Sequence, residues 1–385
     1  MEYFDHLYGK WTPPQFLQRL IQTREMARVR KISQSVTPNN LNPRGPIPNR
    51  FQHGMGVAFL GLRVLESNPE LADYGILLPV ACLYHDAGNS ALSHLAEPFL
   101  RETTGQDGET FLATILDGSE SEKIFRELGI SVEDILDLVT GNKKKNPVAE
   151  VLHGSMDVDN LDNVLRYSRA ACLGREYDAI KIASSFRFGE NWWHLLGQCH
   201  GETCKWQEAR AAVYNYIYGE PHLNMGMMIH RALQIAFCEN EIDKGFFTLD
   251  DSGAIDFLSN KCNPQTKYLI DRAERWQWYQ RIVNFKLKEP NERVKSLASS
   301  WKGRAALADS IAREFKIPPH MVCAYAGRGK DKRRIDVPFL NPDDGTFFYD
   351  TSDDRPEYRV KVYVPPELDT RIKRGVSEFV ASEIM

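Results

Sequence analysis

The sequence predicts a mainly α-helical protein with a smaller α+β lobe at its C-terminal end. Two patterns support this fold class. Over most of the chain, apolar residues recur at spacings of three and four, which is typical of helices packed on a core. After about Ser299, apolar and polar residues alternate, which is typical of strands. We therefore expect a helical body over residues 1–298 and an α+β lobe over residues 299–385.

The helical spacing is clearest in five segments of the body. A proline-rich stretch, TPNNLNPRGPIPNR, separates the first segment from the second and excludes a continuous helix, so it predicts an extended loop that leads to His53. In the lobe, RIDVPFL and YRVKVYV alternate like strands, with the turn signals NPDDG and DTSDD between them. The five helical segments are Phe16–Ile21, Val57–Leu65, Ile76–Leu83, Ile135–Val139 and Ile229–Ala236.

Composition and charge narrow the class of protein. The 385 residues carry 48 Lys and Arg against 52 Asp and Glu, a formal net charge of −4, which argues against a surface that binds long nucleic acids. No long apolar run predicts a membrane span, and the N-terminus lacks the pattern of a signal peptide. The seven cysteines contain no CxxC motif, which favours reduced thiols. We expect a cytoplasmic protein with no membrane partner.

Two histidines and two aspartates form a candidate ligand set for a divalent metal ion. His53, the adjacent pair His85 and Asp86, and Asp159 each lie in or at the start of a segment with helical spacing. Imidazole nitrogens and carboxylate oxygens suit such an ion and leave positions open for water or phosphate. Taken alone, His53 fits a hydrogen-bonded core histidine better, and Asp159 fits a solvent-facing helix start equally well.

The contexts of these residues resemble the HD-domain metal-dependent phosphohydrolases, and within them the deoxynucleoside triphosphate (dNTP) triphosphohydrolases. The resemblance extends more loosely to VYNYIYGEPHLNMGMMIHRAL and LIDRAERWQWYQRIV, so it covers most of the chain in the family's order. The chain resembles both the bacterial dGTP-hydrolysing branch and the SAM-and-HD-domain relative. The four matching stretches are DHLYGKWTPPQFLQRLIQTREMARVRKISQ, NRFQHGMGV, HDAGNSALSHLAE and MDVDNLDNVLRYSRAACLG.

The resemblance implies roles for individual residues and an HD core over about residues 45–190. It assigns His53, His85, Asp86 and Asp159 to a divalent ion such as Mn, Mg, Fe or Co. It places His94 and Glu97 as the catalytic pair, and their i, i+3 spacing on one helix face agrees with a carboxylate that orients an imidazole. The substrate contacts that it implies are Arg50, Asn89, Asp162 and Tyr218.

Several positions depart from the family pattern. Asn89 agrees with the bacterial branch, whereas the SAM-and-HD-domain relative has a histidine there. Asn163 stands where relatives have a tyrosine near the substrate, and QDGETF lacks a His-Glu pair but keeps Glu109. The selectivity for base and sugar is therefore left open.

The resemblance implies hydrolysis of dNTPs to deoxynucleoside and inorganic triphosphate. By family analogy it also implies a homo-oligomer, an activating nucleotide, and a role in either dNTP balance or defence against phage. Two alternatives stay open: an HD-type nucleotidase or phosphodiesterase that acts on another nucleotide, and a catalytically weak regulator that senses nucleotides. A nucleic-acid binder is disfavoured by the net charge.

Other clusters give weaker signals. His194, Cys199, His200 and Cys204 do not have the spacing of a zinc finger or ribbon and are read as loop residues. The basic runs Lys143–Lys145 and GRGKDKRR fit solvated faces, with anion binding as the alternative. The alternating tyrosines Tyr214, Tyr216 and Tyr218, followed by His222, fit either core packing or a nucleotide pocket.

Overall fold

A computed structural model describes residues 1–35, 37–38, 41–42, 47–142, 146–189, 192–220, 222–328, 334–350 and 357–384. The predicted fold class is confirmed: the protein is mainly α-helical, and its smaller C-terminal region mixes helices and strands. The run Lys143–Lys145, most of GRGKDKRR and most of DTSDD lie outside the described residues. In the part of the chain that is described, no helix has the length and apolar character needed to cross a bilayer.

Up to Ile217, the described residues form twelve α-helices and two hairpins. The hairpins pair β1 (Tyr3–Asp5) with β2 (Gly9–Trp11) and β3 (Phe186–Gly189) with β4 (Trp192–Leu196). The helices are α1 (Gln15–Leu20), α2 (Arg24–Val29), α3 (Arg50–Glu66), α4 (Leu77–Tyr84), α5 (Glu97–Thr104), α6 (Gly108–Leu116), α7 (Glu120–Glu127), α8 (Val132–Val139), α9 (Ala149–His153), α10 (Val158–Ala170), α11 (Ala179–Ala183) and α12 (His200–Ile217).

From His222 onward, the part of the chain that the structure describes forms six α-helices and five strands. The helices are α13 (His222–Cys238), α14 (Asp251–Asn260), α15 (Pro264–Glu274), α16 (Glu292–Ser299), α17 (Trp301–Glu314) and α18 (Thr370–Ile384). The strands are β5 (Gln280–Leu287), β6 (Cys323–Arg328), β7 (Phe339–Leu340), β8 (Phe347–Phe348) and β9 (Tyr358–Val364). Short 3-10 helices span Pro69–Tyr74, Ser93–Leu95, Gly197–Cys199, Lys244–Thr248 and Pro319–Met321.

Helices α3, α4 and α10 form the centre of the body and determine where the candidate ligands meet. The first of these helices begins at a capping box, in which the side chain of Asn49 accepts from the backbone of Gln52. It then approaches α4 closely at Gly54, where a Cβ atom would lie 2.7 Å from the carbonyl oxygen of Leu83. A residue without a side chain is needed at that contact because any larger residue would push the two helices apart.

Two further hydrophobic cores are separate from the core around α3, α4 and α10. Helices α5, α13, α14 and α15 enclose the second core. The third core lies between an antiparallel sheet of order β5-β9-β6 and helices α16, α17 and α18. The sheet includes β5, which precedes residue 299, so these strands come from both sides of that position. The division of domains at 299 stays a prediction.

The C-terminal strands differ in part from the sequence expectation. YRVKVYV forms β9, as predicted. Of RIDVPFL, only Phe339 and Leu340 form a strand, and this strand runs parallel to β4 of the body. Pro338 precedes it and has no N–H to donate, although its carbonyl oxygen accepts from the backbone N–H of Leu195 at 2.9 Å.

Candidate metal centre

Three of the four predicted ligands converge at the centre of the body. His53 lies on α3, His85 directly follows α4, and Asp159 lies in the first turn of α10. Their Nε2, Nε2 and Oδ1 atoms all lie within 4.8 Å of one another. His53 Nε2 is 2.9 Å from Asp159 Oδ1 and 3.2 Å from His85 Nε2. This buried cluster could hold a metal ion.

The hydrogen bonds behind the two imidazoles fit that role. His85 Nδ1 donates to the backbone carbonyl of Cys82 at 2.8 Å, and His53 Nδ1 donates to Asp162 at 2.7 Å. In the neutral rings both Nε2 atoms therefore carry lone pairs, and these lone pairs face each other. Two lone pairs at 3.2 Å repel unless a cation, either a metal ion or a proton, lies between them. The donor set thus fits a divalent ion.

The carboxylates around the cluster also shift the pKa values of the two histidines. Although burial opposes a charged ring, the carboxylates of Asp86 and Asp159 raise the pKa of His85 to about 9. Burial also opposes the charge on His53, but hydrogen bonds to Asp159 and Asp162 raise its pKa. The cluster therefore favours positive charge at its centre, which is the condition for binding a cation.

Asp86, the fourth predicted ligand, lies at the edge of the cluster. Its Oδ2 is 3.7 Å from His53 Nε2 and 3.6 Å from His85 Nε2. Buried Arg50 forms an ion pair with this carboxylate, and Asn89 donates to its other oxygen at 2.6 Å. Although burial opposes ionisation, the charge of Arg50 lowers the pKa of Asp86. Arg50 and Asn89, predicted as substrate contacts, therefore both hold the Asp86 carboxylate.

Asp162 lies in a different place from the one expected for a substrate contact. Its carboxylate is fully buried behind His53, away from the cavity. Arg166 donates to both carboxylate oxygens at 2.7 Å, and the Tyr8 hydroxyl donates to Oδ2 at 2.9 Å. Arg166 in turn donates to Asp5 at 2.9 Å. Asp162 thus orients His53, which the resemblance alone did not indicate; the i, i+4 spacing of Asp162 and Arg166 was the available sequence signal.

This network packs closely against α3. A Cβ atom at Gly56 would lie 1.9 Å from an oxygen of Asp162 and 2.4 Å from Arg166. Although burial opposes its ionisation, the Arg166 guanidinium lowers the pKa of Asp162 to about 2. The carboxylate is therefore charged at neutral pH and accepts the Nδ1 proton of His53.

His94 and Glu97 are hydrogen-bonded, but they do not share one helix as predicted: His94 lies in the 3-10 helix Ser93–Leu95, and Glu97 begins α5. His94 Nδ1 lies 3.0 Å from Glu97 Oε2, and this hydrogen bond lowers the pKa of Glu97. The backbone before His94 is strained, because Leu92 and Ser93 have φ values of 61° and 49°. Asp251, which the sequence did not single out, holds this turn by accepting from the backbone N–H of Leu92 at 3.0 Å.

The candidate ligand cluster and the His94–Glu97 pair line one cavity of about 320 Å³. Arg50, Asn89 and Asn163 also line it. So do Glu109 and His153, whose facing atoms lie 3.9 Å apart. Burial and the charge of Asp107 raise the pKa of Glu109 to about 7. The cavity therefore combines a candidate cation site with further titratable groups.

Two other sequence signals lie elsewhere. Tyr218 lines a second cavity, which shares His94 with the first. Among the described residues, His53, His85 and Asp159 are the only group placed to hold a metal ion. The four residues His194, Cys199, His200 and Cys204 form no such group, and they are not loop residues: they lie in β4, in the 3-10 helix Gly197–Cys199 and in α12.

The comparisons with known proteins bear on the fold. The chain is similar to the crystal structure of a hypothetical protein from Aquifex aeolicus, with a TM-score of 0.73 and 18% sequence identity. The match covers 100% of this chain and 99% of that one. No family model and no curated protein matches the chain. At this identity the likeness shows the fold alone. Fold and site together define a mainly α-helical protein with a buried His-Asp cluster that could hold a metal ion.

Proposed function

We propose that the protein is a metal-dependent hydrolase that converts dNTPs to deoxynucleoside and inorganic triphosphate. The observation that carries this proposal is that the cation site and the His94–Glu97 pair line the same cavity. The sequence resemblance supplies the substrate class, and the site supplies the residues that the reaction needs.

The cation site is proposed to consist of His53, His85, Asp86 and Asp159. A bound divalent ion supplies Lewis acidity toward a phosphoryl group and lowers the pKa of water. Arg50 adds a buried guanidinium beside the site, and its planar fork suits phosphate oxygens. Contact with phosphate requires Arg50 to exchange part of its present ion pair with Asp86.

His94 is the proposed general acid. Glu97 accepts the Nδ1 proton of His94, so Nε2 is left to carry the proton that is transferred. The water oxygen forms a bond to the α-phosphorus while the bond from phosphorus to the 5′ oxygen breaks. That oxygen takes the proton from His94, and the water proton leaves to solvent. The products are the deoxynucleoside and triphosphate.

A product assay tests the proposal. The purified protein is incubated with each dNTP and NTP, singly and in mixtures, with Mn or Mg, and the products are separated by chromatography. We expect equal amounts of deoxynucleoside and triphosphate, which no phosphodiesterase or nucleotidase releases. Mixtures are included because an activating nucleotide can differ from the substrate. Release of monophosphate would indicate another nucleotide hydrolase, and tight binding without turnover across Mn, Mg, Fe and Co would indicate a sensor.

A further inference from the structure

A second cavity of about 320 Å³ lies beside the one that contains the metal cluster. The 3-10 helix that carries His94, helix α13 and strand β6 form its walls. Its lining is mostly apolar and includes the rings of Tyr218 and Tyr325, whose centroids lie 6.2 Å apart. This size and lining are typical of small-molecule sites, which span ~300–1,000 Å³.

One buried polar group in this cavity lacks a partner. His230 on α13 is 4% exposed, and its Nδ1 lies 3.2 Å from the carbonyl oxygen of Leu95. Because a carbonyl only accepts, Nδ1 carries the proton. Burial and the charge of Arg304 lower the pKa of His230 to about 3, so the ring is neutral. Its Nε2 is therefore an acceptor, and no hydrogen-bond partner reaches that atom among the described residues.

A cation lies near this acceptor. Arg304 lines the cavity and donates from Nη1 to the carbonyl oxygens of Leu297 and Ala298, at 3.4 and 3.2 Å. Burial lowers the pKa of its guanidinium. The cavity lining thus offers a donor and aromatic faces, and the buried Nε2 acceptor of His230 lies just behind it, where a ligand reaches it once the ring turns toward the cavity. A nucleobase matches all three features, because it is planar and carries an N–H donor beside a carbonyl or ring-nitrogen acceptor on one edge.

The position of the second cavity next to the metal cluster also fits a bound nucleobase. His94 lines both cavities, so it lies where they meet. In a dNTP, the bond broken in the proposed reaction lies between the triphosphate and the nucleoside. A substrate with its phosphates at the metal cluster and its nucleoside in the second cavity would place its 5′ oxygen near His94.

We propose that the second cavity binds the nucleoside of the substrate and that His230 Nε2 accepts a hydrogen bond from an N–H of the base. The substrate orientation in this inference rests on the proposed function. His230 is thereby a specificity-determining residue, because an unsatisfied buried acceptor rejects a base that presents no donor to it.

The test compares two substitutions of His230. His230→Asn keeps a donor for the Leu95 carbonyl through its amide and removes the Nε2 acceptor. His230→Gln reaches the position of Nε2 with an amide oxygen that can accept. Calorimetry measures the binding of each of the four 2′-deoxynucleosides to chelated, metal-free protein, and steady-state kinetics give kcat/KM for the four dNTPs. Asp159→Asn is the control, since it removes a candidate metal ligand that does not line this cavity.

For the unsubstituted protein we expect binding of at least one nucleoside. His230→Asn weakens that binding about tenfold or more and reduces the kcat/KM ratio between preferred and other dNTPs, and His230→Gln recovers part of both. Asp159→Asn keeps nucleoside binding and loses turnover. Nucleoside binding that depends on His230, without hydrolysis of any dNTP, would support the base site and contradict the proposed reaction. Absence of nucleoside binding, or a His230→Asn protein with unchanged affinity and selectivity, would overturn the inference.

Discussion

The carboxylate of Asp162 provides a direct test of how this fold prepares a cation site. It accepts four hydrogen bonds: one from His53, two from Arg166 and one from Tyr8. In Asp162→Asn, an amide oxygen facing His53 keeps the ring's tautomer but removes the charge that raises its basicity. The flipped amide donates to His53 Nδ1 and leaves a proton on Nε2, which closes that atom to a metal ion. In both orientations the affinity for metal falls.

The size of the effect follows from these contacts. Loss of a carboxylate that orients a histidine ligand costs ~10–100-fold in metal affinity. In either amide orientation, an amide N–H also faces a donor of Arg166, so one charge-assisted bond, worth ~1.5–3 kcal/mol, is lost from the fold. Arg166 keeps its bond to Asp5 at 2.9 Å, so the network is weakened and not abolished.

Calorimetric titration with Mn²⁺ measures the affinity, and chemical denaturation of chelated protein measures the stability. Asp5→Asn is the matched control, because Asp5 binds the same guanidinium but is not bonded to His53. We expect similar losses of stability in both variants and a loss of metal affinity in Asp162→Asn alone. Equal losses of affinity in the two variants would refute the reasoning, since the effect would then act through Arg166.

Three further predictions follow from the site. His94→Ala should keep Mn²⁺ binding and lose most dNTP turnover; full activity of the metal-loaded variant would remove His94 from the mechanism. Gly56→Ala should destabilise the fold and weaken Mn²⁺ binding, because its Cβ would overlap Asp162 and Arg166; calorimetry with unchanged affinity would contradict this. In chelated protein, the raised pKa of Glu109 means that the folded state binds the extra proton, so its contribution to stability declines as pH rises from ~4.5 to about 7. Glu109→Gln should flatten that slope in denaturation curves, and an unchanged slope would assign it to another group.

Several parts of the fold could be read from local sequence. Helices α1, α3, α4, α8 and α13 cover the five segments predicted from apolar spacing, except that Ile21 and Ile76 each lie one residue outside their helix. That spacing is a local property, and it survives folding because each helix must bury its apolar face. The alternation in RIDVPFL predicts a strand over the whole segment, but only Phe339 and Leu340 pair with β4. A strand forms only where a partner strand lies beside it, and alternation along the sequence does not show where that is.

Residue type and short-range spacing were enough to predict the mainly helical class and the chemical identity of the candidate ligands. The tertiary structure alone decided which groups stand behind those ligands. Asp162 faces His53 because α10 packs against α3, and the first hairpin brings Tyr8 to Asp162 and Asp5 to Arg166. The tertiary structure also brings Tyr218 and His230, whose Nε2 has no partner among the described residues, to a second cavity that meets the first at His94. Spacing along one helix gives no measure of such long-range proximity.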